Sequence, residues 1–409
     1  MQSLMGKLRR ADGVPDYGLI LAVTGLVIVG LMMVYSATFD WSYQVYDSSL
    51  YITFRQMQWV ALGLVVLVVL TLVPYEWWRD LAVPIMVGTL LSLILVLIVG
   101  DQRFGAQRSF WNGSVHPGEL AKLTMVIYIA AWLSSKGDQI RNVSYGLIPF
   151  AVLIGAVTGL IVAQPDLGTA VLIALTSLAV FFFAGADILQ LAGAGVVAVA
   201  TFLVLVSKFP HASERIDQWI QVWQDPTHAG YHMQQTLIAL GSGGPLGVGL
   251  GQGQQKLGYL PTQHTDAIFA VLGEEAGLLG CLFIIGLFAL FAYRGFKITM
   301  DTHDPFAALL ASGVTLWITF QALINVGVVT GLLPFTGMAL PFISCGGSGM
   351  VTSLAGVGLL LSVSRGRSIG KQSDKRGEGR TYARLDRRWG NRGARVSGPR
   401  RRASAPRRG

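Results

Sequence analysis

The chain has 409 residues, of which 52% are hydrophobic and 13% charged, with a mean hydropathy of +0.55 and a formal net charge of +9. Those proportions exclude a soluble globular domain and describe a protein that crosses a membrane many times. The positive charge belongs to the end of the chain: from Arg365 onward there are 16 Lys or Arg against 3 Asp or Glu, leaving 15 against 19 elsewhere.

A bilayer core requires about 20 apolar residues per helix. Windows of that order recur at 17–36, 57–73, 81–99, 117–135, 146–163, 167–183, 188–206, 267–293, 306–329 and 337–363, which predicts ten spans. The first follows Lys7, Arg9 and Arg10 but is too long for a signal peptide and lacks a small-residue cleavage site, so it reads as a retained span. The expected fold class is an all-α integral membrane protein of ten transmembrane helices, with a long extracytoplasmic loop between helices 7 and 8. Its expected organisation is a cytoplasmic N-terminus at 1–16, a transmembrane domain at 17–365 that includes the large loop at 207–265, and a basic, disordered cytoplasmic tail at 366–409.

Lys and Arg in short loops mark the cytoplasmic side. Lys7, Arg9, Arg10, Arg79, Lys136, Arg141, Arg294, Lys297 and the tail fall on one side of the ten-span arrangement, which places both termini in the cytoplasm. The tail is rich in Arg, Gly, Ser and Pro and cannot bury a core. Anionic lipids are its expected partner. Nucleic acid is the less favoured alternative, because a basic segment beside a final span is what the membrane surface alone selects.

Glu119 and Lys122, in the fourth window, are three apart and share a helix face, so they can pair. The competing reading is a first-turn Glu favoured by the helix dipole and a Lys that snorkels to the headgroups. Asp166, in Gln164-Pro-Asp-Leu-Gly-Thr169, is a natural N-cap where windows five and six meet. Cys281 and Cys345 are the only cysteines and form no CxxC, so no metal or redox framework is visible.

The loop at 207–265 is 59 residues long, and long loops on a compact scaffold usually carry function. Ile216, Trp219, Ile220 and Trp223 follow a helical spacing with Ser213 as the expected N-cap, which predicts a short interfacial helix. Residues 241–254 contain seven glycines in fourteen positions. They lack the Gly-Lys-Ser/Thr of a nucleotide P-loop. Two readings stand: close approach of backbone to backbone or to a lipid head, and exposed N–H groups that receive a pyrophosphate.

Pro261 to Gly273 is the most informative segment, because a polar loop carrying Asp266 runs directly into a long apolar helix. An ionisable group at that depth is either a helix N-cap or a functional group. Gln321 and Asn325 sit on adjacent turns and can bond between helices. Ser344-Cys-Gly-Gly-Ser348, after Pro341, predicts a broken or closely packed helix lining a cavity.

Four motifs, in order along the chain, carry a resemblance to a known family. Pro117-Gly-Glu-Leu-Ala-Lys122, Gln164-Pro-Asp-Leu-Gly-Thr169, His264-Thr-Asp-Ala-Ile-Phe-Ala-Val-Leu-Gly-Glu-Glu275 and Pro341-Phe-Ile-Ser-Cys-Gly-Gly-Ser348 resemble the SEDS proteins (shape, elongation, division and sporulation). Lys136-Gly-Asp-Gln-Ile-Arg-Asn142 and Gln164-Pro-Asp-Leu-Gly-Thr169 look closer to the FtsW-like branch than to the RodA-like one. The resemblance implies polymerisation of lipid II into peptidoglycan strands at the outer face of the bacterial cytoplasmic membrane. It implies a class B penicillin-binding protein as transpeptidase partner, with other division or elongation membrane proteins nearby. It also implies that Asp266 is the catalytic residue, and that Glu119, Lys122 and Asp166 lie near a central cavity. Cys345 and Thr262-Gln263 depart from the family pattern without touching Asp266.

That chemistry needs one base for the acceptor hydroxyl but no strong acid, because pyrophosphate leaves as a stabilised anion. A glycosidase would require two facing carboxyl groups. Glu274, eight residues past Asp266, is about 80° round a helix and about 12 Å along it, so it does not face Asp266. Arg108, Arg215 and Lys256, with Lys122, are the expected pyrophosphate partners by sign and side. His264, Thr265, Ser344 and Asn325 are the expected supporting residues, and a divalent cation (Mg or Mn) near Asp266 is the one cofactor expected. A lipid II transporter and a non-catalytic division scaffold are the alternatives. The clustering of charge at outer helix ends argues against both.

Overall fold

The computed structural model describes residues 15–366 except 104–105, 111–112 and 226–229. The tail from residue 367 and the basic residues before 15 lie outside the described residues, and with them the expectations of disorder and lipid binding.

The chain folds as a helical bundle. Helices α1 (Tyr17–Tyr46), α2 (Tyr51–Leu72) and α3 (Glu76–Val99) lead into a short antiparallel ribbon, β1 (Asp101–Arg103) and β2 (Ala106–Ser109), which pairs Gln102 with Gln107 and has an irregularity beside Asp101. Then come α4 (Pro117–Lys136), α5 (Ile148–Val162), α6 (Leu167–Phe183), α7 (Ile188–Lys208), α8 (Pro210–Gln224), α9 (Tyr231–Gly243), α10 (Ile268–Met300), α11 (Pro305–Val329) and α12 (Gly347–Gly366). Among the described residues eight helices are long and apolar enough to cross a membrane; α5 is one of them, counted from Val143. The windows at 117–135 and 167–183 fall on α4, which carries Glu119 and Lys122, and on α6, which is 17 residues long.

The core lies around α11 and α12, whose apolar windows are 72% and 78% buried, whereas α7 buries none of its window and stands at the periphery. α11 packs against α4, α6 and α10, and α10 against α1 and α9. These contacts bring the C-terminal end of α11 beside the N-terminal ends of α4, α6 and α10.

The stretch expected as one long loop contains two helices. α8 begins at Pro210 rather than at a Ser213 cap, and the Ser213 N–H bonds to Phe209 O within the first turn. Proline at the first helical position has its φ set and needs no N–H partner, so it starts the helix a turn earlier. Trp219, on the expected interfacial helix, donates its Nε1–H to Gly331 O at 2.9 Å and so ties α8 to the segment after α11.

α10 is interrupted at Gly277 (φ 66°, ψ −166°). The glycine-rich segment fills the interruption: Val248 N–H donates to Glu274 O at 3.0 Å, Gly249 N–H to Glu275 O at 3.1 Å and Leu278 N–H to Gly244 O at 2.9 Å. A Cβ on Gly277 would lie 2.3 Å from Gly247 N, and one on Gly247 (φ 81°) would lie 2.1 Å from Glu275 O. Of the two readings of these glycines, close backbone approach is therefore the one the packing supports. Gly277→Ala should lower the thermal midpoint of the purified protein by several degrees, since that backbone region alone costs a side chain about 1–3 kcal/mol. An unchanged midpoint would contradict this packing.

Candidate active site around Asp266

Asp266 closes the turn that precedes α10. The N-cap position of that helix is Ala267, which supplies no side-chain cap, so Asp266 is not the N-cap. Its carboxylate accepts no hydrogen bond among the described residues and stays half-buried, with Oδ2 3.5 Å from where a Cβ on Gly337 would lie. A capping carboxylate would be engaged with backbone N–H groups. This one is free to meet a ligand.

Three charged residues from distant parts of the chain act on it electrostatically. Burial pushes the Asp266 carboxyl up from 3.8 to about 6, while Arg108 on β2 and Arg215 on α8 pull it down and Asp166 pushes it up. Asp166 Oδ1 accepts the Thr169 N–H at 3.0 Å, so it caps α6 and acts on the Asp266 site at the same time. The Arg215 guanidinium lies over the Phe335 ring at 5.2 Å and donates weakly to Phe335 O at 3.5 Å. Desolvation and the neighbouring Arg108 press its pKa down, and Asp266 and Asp166 oppose them. Two guanidinium groups and two carboxylates that act on one another electrostatically suit an anionic ligand with a polar reacting group.

His232 and Phe335 were not singled out by the sequence. The His232 ring packs on Phe335 at 4.4 Å, its Nε2 lies 3.2 Å from Thr262 Oγ1, and burial holds its pKa below the ordinary histidine value. His264 stacks on Trp41 at 4.9 Å and is likewise held low by burial. Thr265 Oγ donates to Thr262 O at 3.2 Å, inside the turn.

Glu119 and Lys122 form the expected pair at 2.8 Å, but Lys122 does not snorkel. It is 3% exposed, donates also to Gln321 Oε1 at 2.9 Å and lies 5.6 Å from the Trp317 ring. His116, at the start of the same helix, feels both Glu119 and Asp166, which places the pair on the flank of the Asp266 cluster. Asn325 bonds backbone rather than a side chain of another helix, its Nδ2 donating to Asp266 O at 2.9 Å and Met338 O at 2.7 Å, and Ser344 Oγ donates to Thr265 O at 2.6 Å. Lys256 does not join the cluster as expected. It is 8% exposed and bonds Glu275 Oε1 at 2.6 Å and Ser36 Oγ at 2.8 Å. Glu274 is engaged by Gln254 N–H at 2.7 Å and Gln255 N–H at 3.2 Å, so it provides no second carboxyl for Asp266.

Among the described residues no group of three or more His, Cys, Asp or Glu could hold a metal. A cavity of about 620 Å³ lined by Arg79, Tyr128, Trp132 and Asp304 lies at the opposite end of α4 and α11 from Asp266 and takes no part in this cluster.

The chain is similar to known proteins over most of its length. A family model described as cell cycle protein, covering FtsW, RodA and SpoVE, matches residues 17–369. The probable peptidoglycan glycosyltransferase FtsW of Trichlorobacter lovleyi is 37% identical over 366 residues, covering 88% of this chain and 96% of that protein. Stage V sporulation protein E of Bacillus subtilis is 38% identical over 357 residues, covering 86% and 97%. Among solved structures, a chain of a peptidoglycan synthase complex that coordinates polymerization and crosslinking aligns with a TM-score of 0.71 at 30% identity. Thermus thermophilus rod shape determining protein RodA aligns with a TM-score of 0.64 at 29% identity. Both alignments cover 87% of this chain and 98% of the other.

Proposed function

Because the chain belongs to the FtsW/RodA/SpoVE family, we propose that it is a peptidoglycan glycosyltransferase that polymerises lipid II, with Asp266 as its general base. The observation that carries the reading is an Asp carboxylate with no structural bond of its own, near two arginines. As base, Asp266 accepts the proton of the acceptor sugar hydroxyl while that oxygen attacks the anomeric carbon of the donor. The bond to the lipid pyrophosphate breaks, and an α-linked donor becomes a β-linked strand. Arg108 and Arg215 receive the negative charge that develops on the departing pyrophosphate. A divalent cation fits only as a partner shared with that pyrophosphate, because Mg²⁺ is commonly held by one or two carboxylates plus substrate phosphates, and Asp266 and Asp166 provide two. Such an ion would neutralise charge on the leaving group.

The site lies at one end of the bundle. Asp266, His116 and Asp166 precede α10, α4 and α6, whereas Lys136, Arg294 and Lys297 lie at the far ends of α4 and α10. By the positive-inside rule the far ends face the cytoplasm, so the site faces outward, where exported lipid II is presented. Crossings by α4 and α6, added to the eight apolar helices, give ten spans with both termini cytoplasmic. The neighbouring solved structure is a complex that couples polymerization with crosslinking. A class B penicillin-binding protein is accordingly the proposed partner, and the FtsW-like role in division is favoured by the FtsW relatives.

The base assignment fixes the pH dependence. Polymerisation should fall as pH drops through about 6, where Asp266 becomes protonated. Arg215 favours the ionised carboxylate, so Arg215→Gln should raise that pKa and move the acid limb of the rate profile to higher pH. The measurement is initial strand synthesis from lipid II across pH 5 to 8 (about the range that brackets the limb). A limb that does not move, or that moves down, would refute the electrostatic coupling between Arg215 and the base.

A further inference from the structure

The carbonyl oxygens of the consecutive residues His264, Thr265 and Asp266 are each held by a donor from outside their turn. Cys345 N–H donates to His264 O at 2.9 Å. Ser344 Oγ–H donates to Thr265 O at 2.6 Å, and Asn325 Nδ2–H to Asp266 O at 2.9 Å. The Thr265 carbonyl belongs to the peptide plane before the Asp266 Cα, and the Asp266 carbonyl to the plane after it. The two side chains therefore fix both planes, and with them the backbone dihedrals that aim the Asp266 side chain.

Every donor hydrogen of both side chains is engaged, whereas Asn325 Oδ1 is buried with no partner among the described residues. Ser344 Oγ accepts the Leu340 N–H at 2.7 Å while giving its only proton to Thr265. The second Asn325 Nδ2 hydrogen goes to Met338 O at 2.7 Å. They are 5% and 1% exposed, so neither presents a hydrogen to a substrate. Buried Gln56 on α2 brackets the segment that carries Ser344: its Oε1 accepts the Gly346 N–H at 3.3 Å, and its Nε2 lies 3.5 Å from Ser344 O. Satisfying buried carbonyls is the ordinary reason for such bonds. Here they have a second consequence, because the Asp266 carboxylate has no bond to orient it and Ala267 gives the helix no cap. The aim of Asp266 is set through its backbone alone.

We propose that Ser344 and Asn325 are positioning residues for Asp266, holding the two peptide planes that flank it so that the carboxylate points at the acceptor hydroxyl and stays within the field of Arg108 and Arg215. The inference rests on Asp266 being the base. Loosening either plane misdirects a proton acceptor without changing how lipid II binds, and distances of about 1 Å matter on that scale.

The test compares Ser344→Ala, Ser344→Thr and Asn325→Ala with the unaltered protein and Asp266→Asn in one lipid II polymerisation assay, after thermal unfolding confirms each fold. Ser344→Ala should lower kcat by about 10- to 100-fold with KM within about two-fold. Its acid limb should move to higher pH as the carboxylate leaves the arginines. Ser344→Thr, which keeps the hydroxyl, should recover most of kcat. Asn325→Ala should repeat the kcat loss, and it stands in for Ser344→Ala if that variant does not fold. Normal kcat in Ser344→Ala beside an inactive Asp266→Asn overturns the positioning role alone. A kcat loss with no shift of the limb and no rescue by Thr also overturns it. An active Asp266→Asn overturns the base, and this inference with it.

Discussion

Asp266→Asn should lower lipid II polymerisation by at least about 10²-fold, the lower end of what a positioned general base contributes, and leave the fold as stable as before or more so. The two halves of this expectation come from the same geometry. An amide of the same shape cannot accept the acceptor's proton, so the reaction loses its base while lipid II still meets Arg108 and Arg215. Stability is preserved because the Asp266 carboxylate caps no helix and accepts no hydrogen bond among the described residues. Burial raises its pKa to about 6, which means that the ionised form is the one the folded surroundings disfavour. Removing that charge relieves a cost. The check is strand synthesis and thermal unfolding on the same preparation. Loss of activity together with a large loss of stability would mean that Asp266 is structural after all.

Lys256→Met should have the opposite character, lowering stability by about 3–5 kcal/mol, the cost of removing one partner of a buried ion pair. Lys256 Nζ is 2.6 Å from Glu275 Oε1, and that carboxylate is almost wholly enclosed. Its Oε2 already has no partner, so without Lys256 only Ser36 Oγ, at 2.6 Å, would remain to offset the charge. The same contact joins three distant pieces of chain: Ser36 on α1, the end of the glycine-rich segment and the first leg of α10. Exchanging both partners for apolar residues, as in Lys256→Met with Glu275→Met, should recover much of the loss, because a well-packed apolar pair often matches a buried ion pair. Denaturation midpoints of the single and double variants check this. A Lys256→Met protein of normal stability but raised KM would instead return Lys256 to the role of a pyrophosphate ligand.

These two residues show where the sequence was legible. The apolar windows were readable because hydrocarbon thickness imposes a length on each helix, and every window meets a helix. Asp266 stood out because a lone carboxylate at the mouth of an apolar helix is costly, and the structure leaves that carboxylate without a hydrogen bond among the described residues. Arg108 and Arg215, expected as pyrophosphate partners by sign and side, both act electrostatically on the Asp266 carboxyl. Lys256 satisfied the same two criteria and was misplaced, since its pairing with Glu275 depends on how the chain turns back between them.

Other features had weaker local signals. The break at Gly277 was hidden because glycine is common in membrane helices that do not break, and only the approach of Gly247 requires it. The ribbon at 101–109 lacks apolar alternation, and α9 ends in glycines that read as loop. Ser344 and Asn325 were picked out as polar residues in apolar surroundings, but not for what they hold. A side chain that bonds a carbonyl some sixty or eighty positions away leaves no periodicity to read.

The central claim is that Asp266 makes glycan strands rather than assisting passage of the lipid. It is tested most directly by reconstituting the protein with its cognate penicillin-binding partner in proteoliposomes, adding lipid II with Mg²⁺ or Mn²⁺, and resolving products by length while following transbilayer movement of labelled lipid II. The account predicts long strands with the unaltered protein and none with Asp266→Ala, with lipid movement the same in both. No strands from the unaltered protein, together with lipid II movement that Asp266→Ala abolishes, would contradict it and make the arginine-flanked carboxylate part of a transport path.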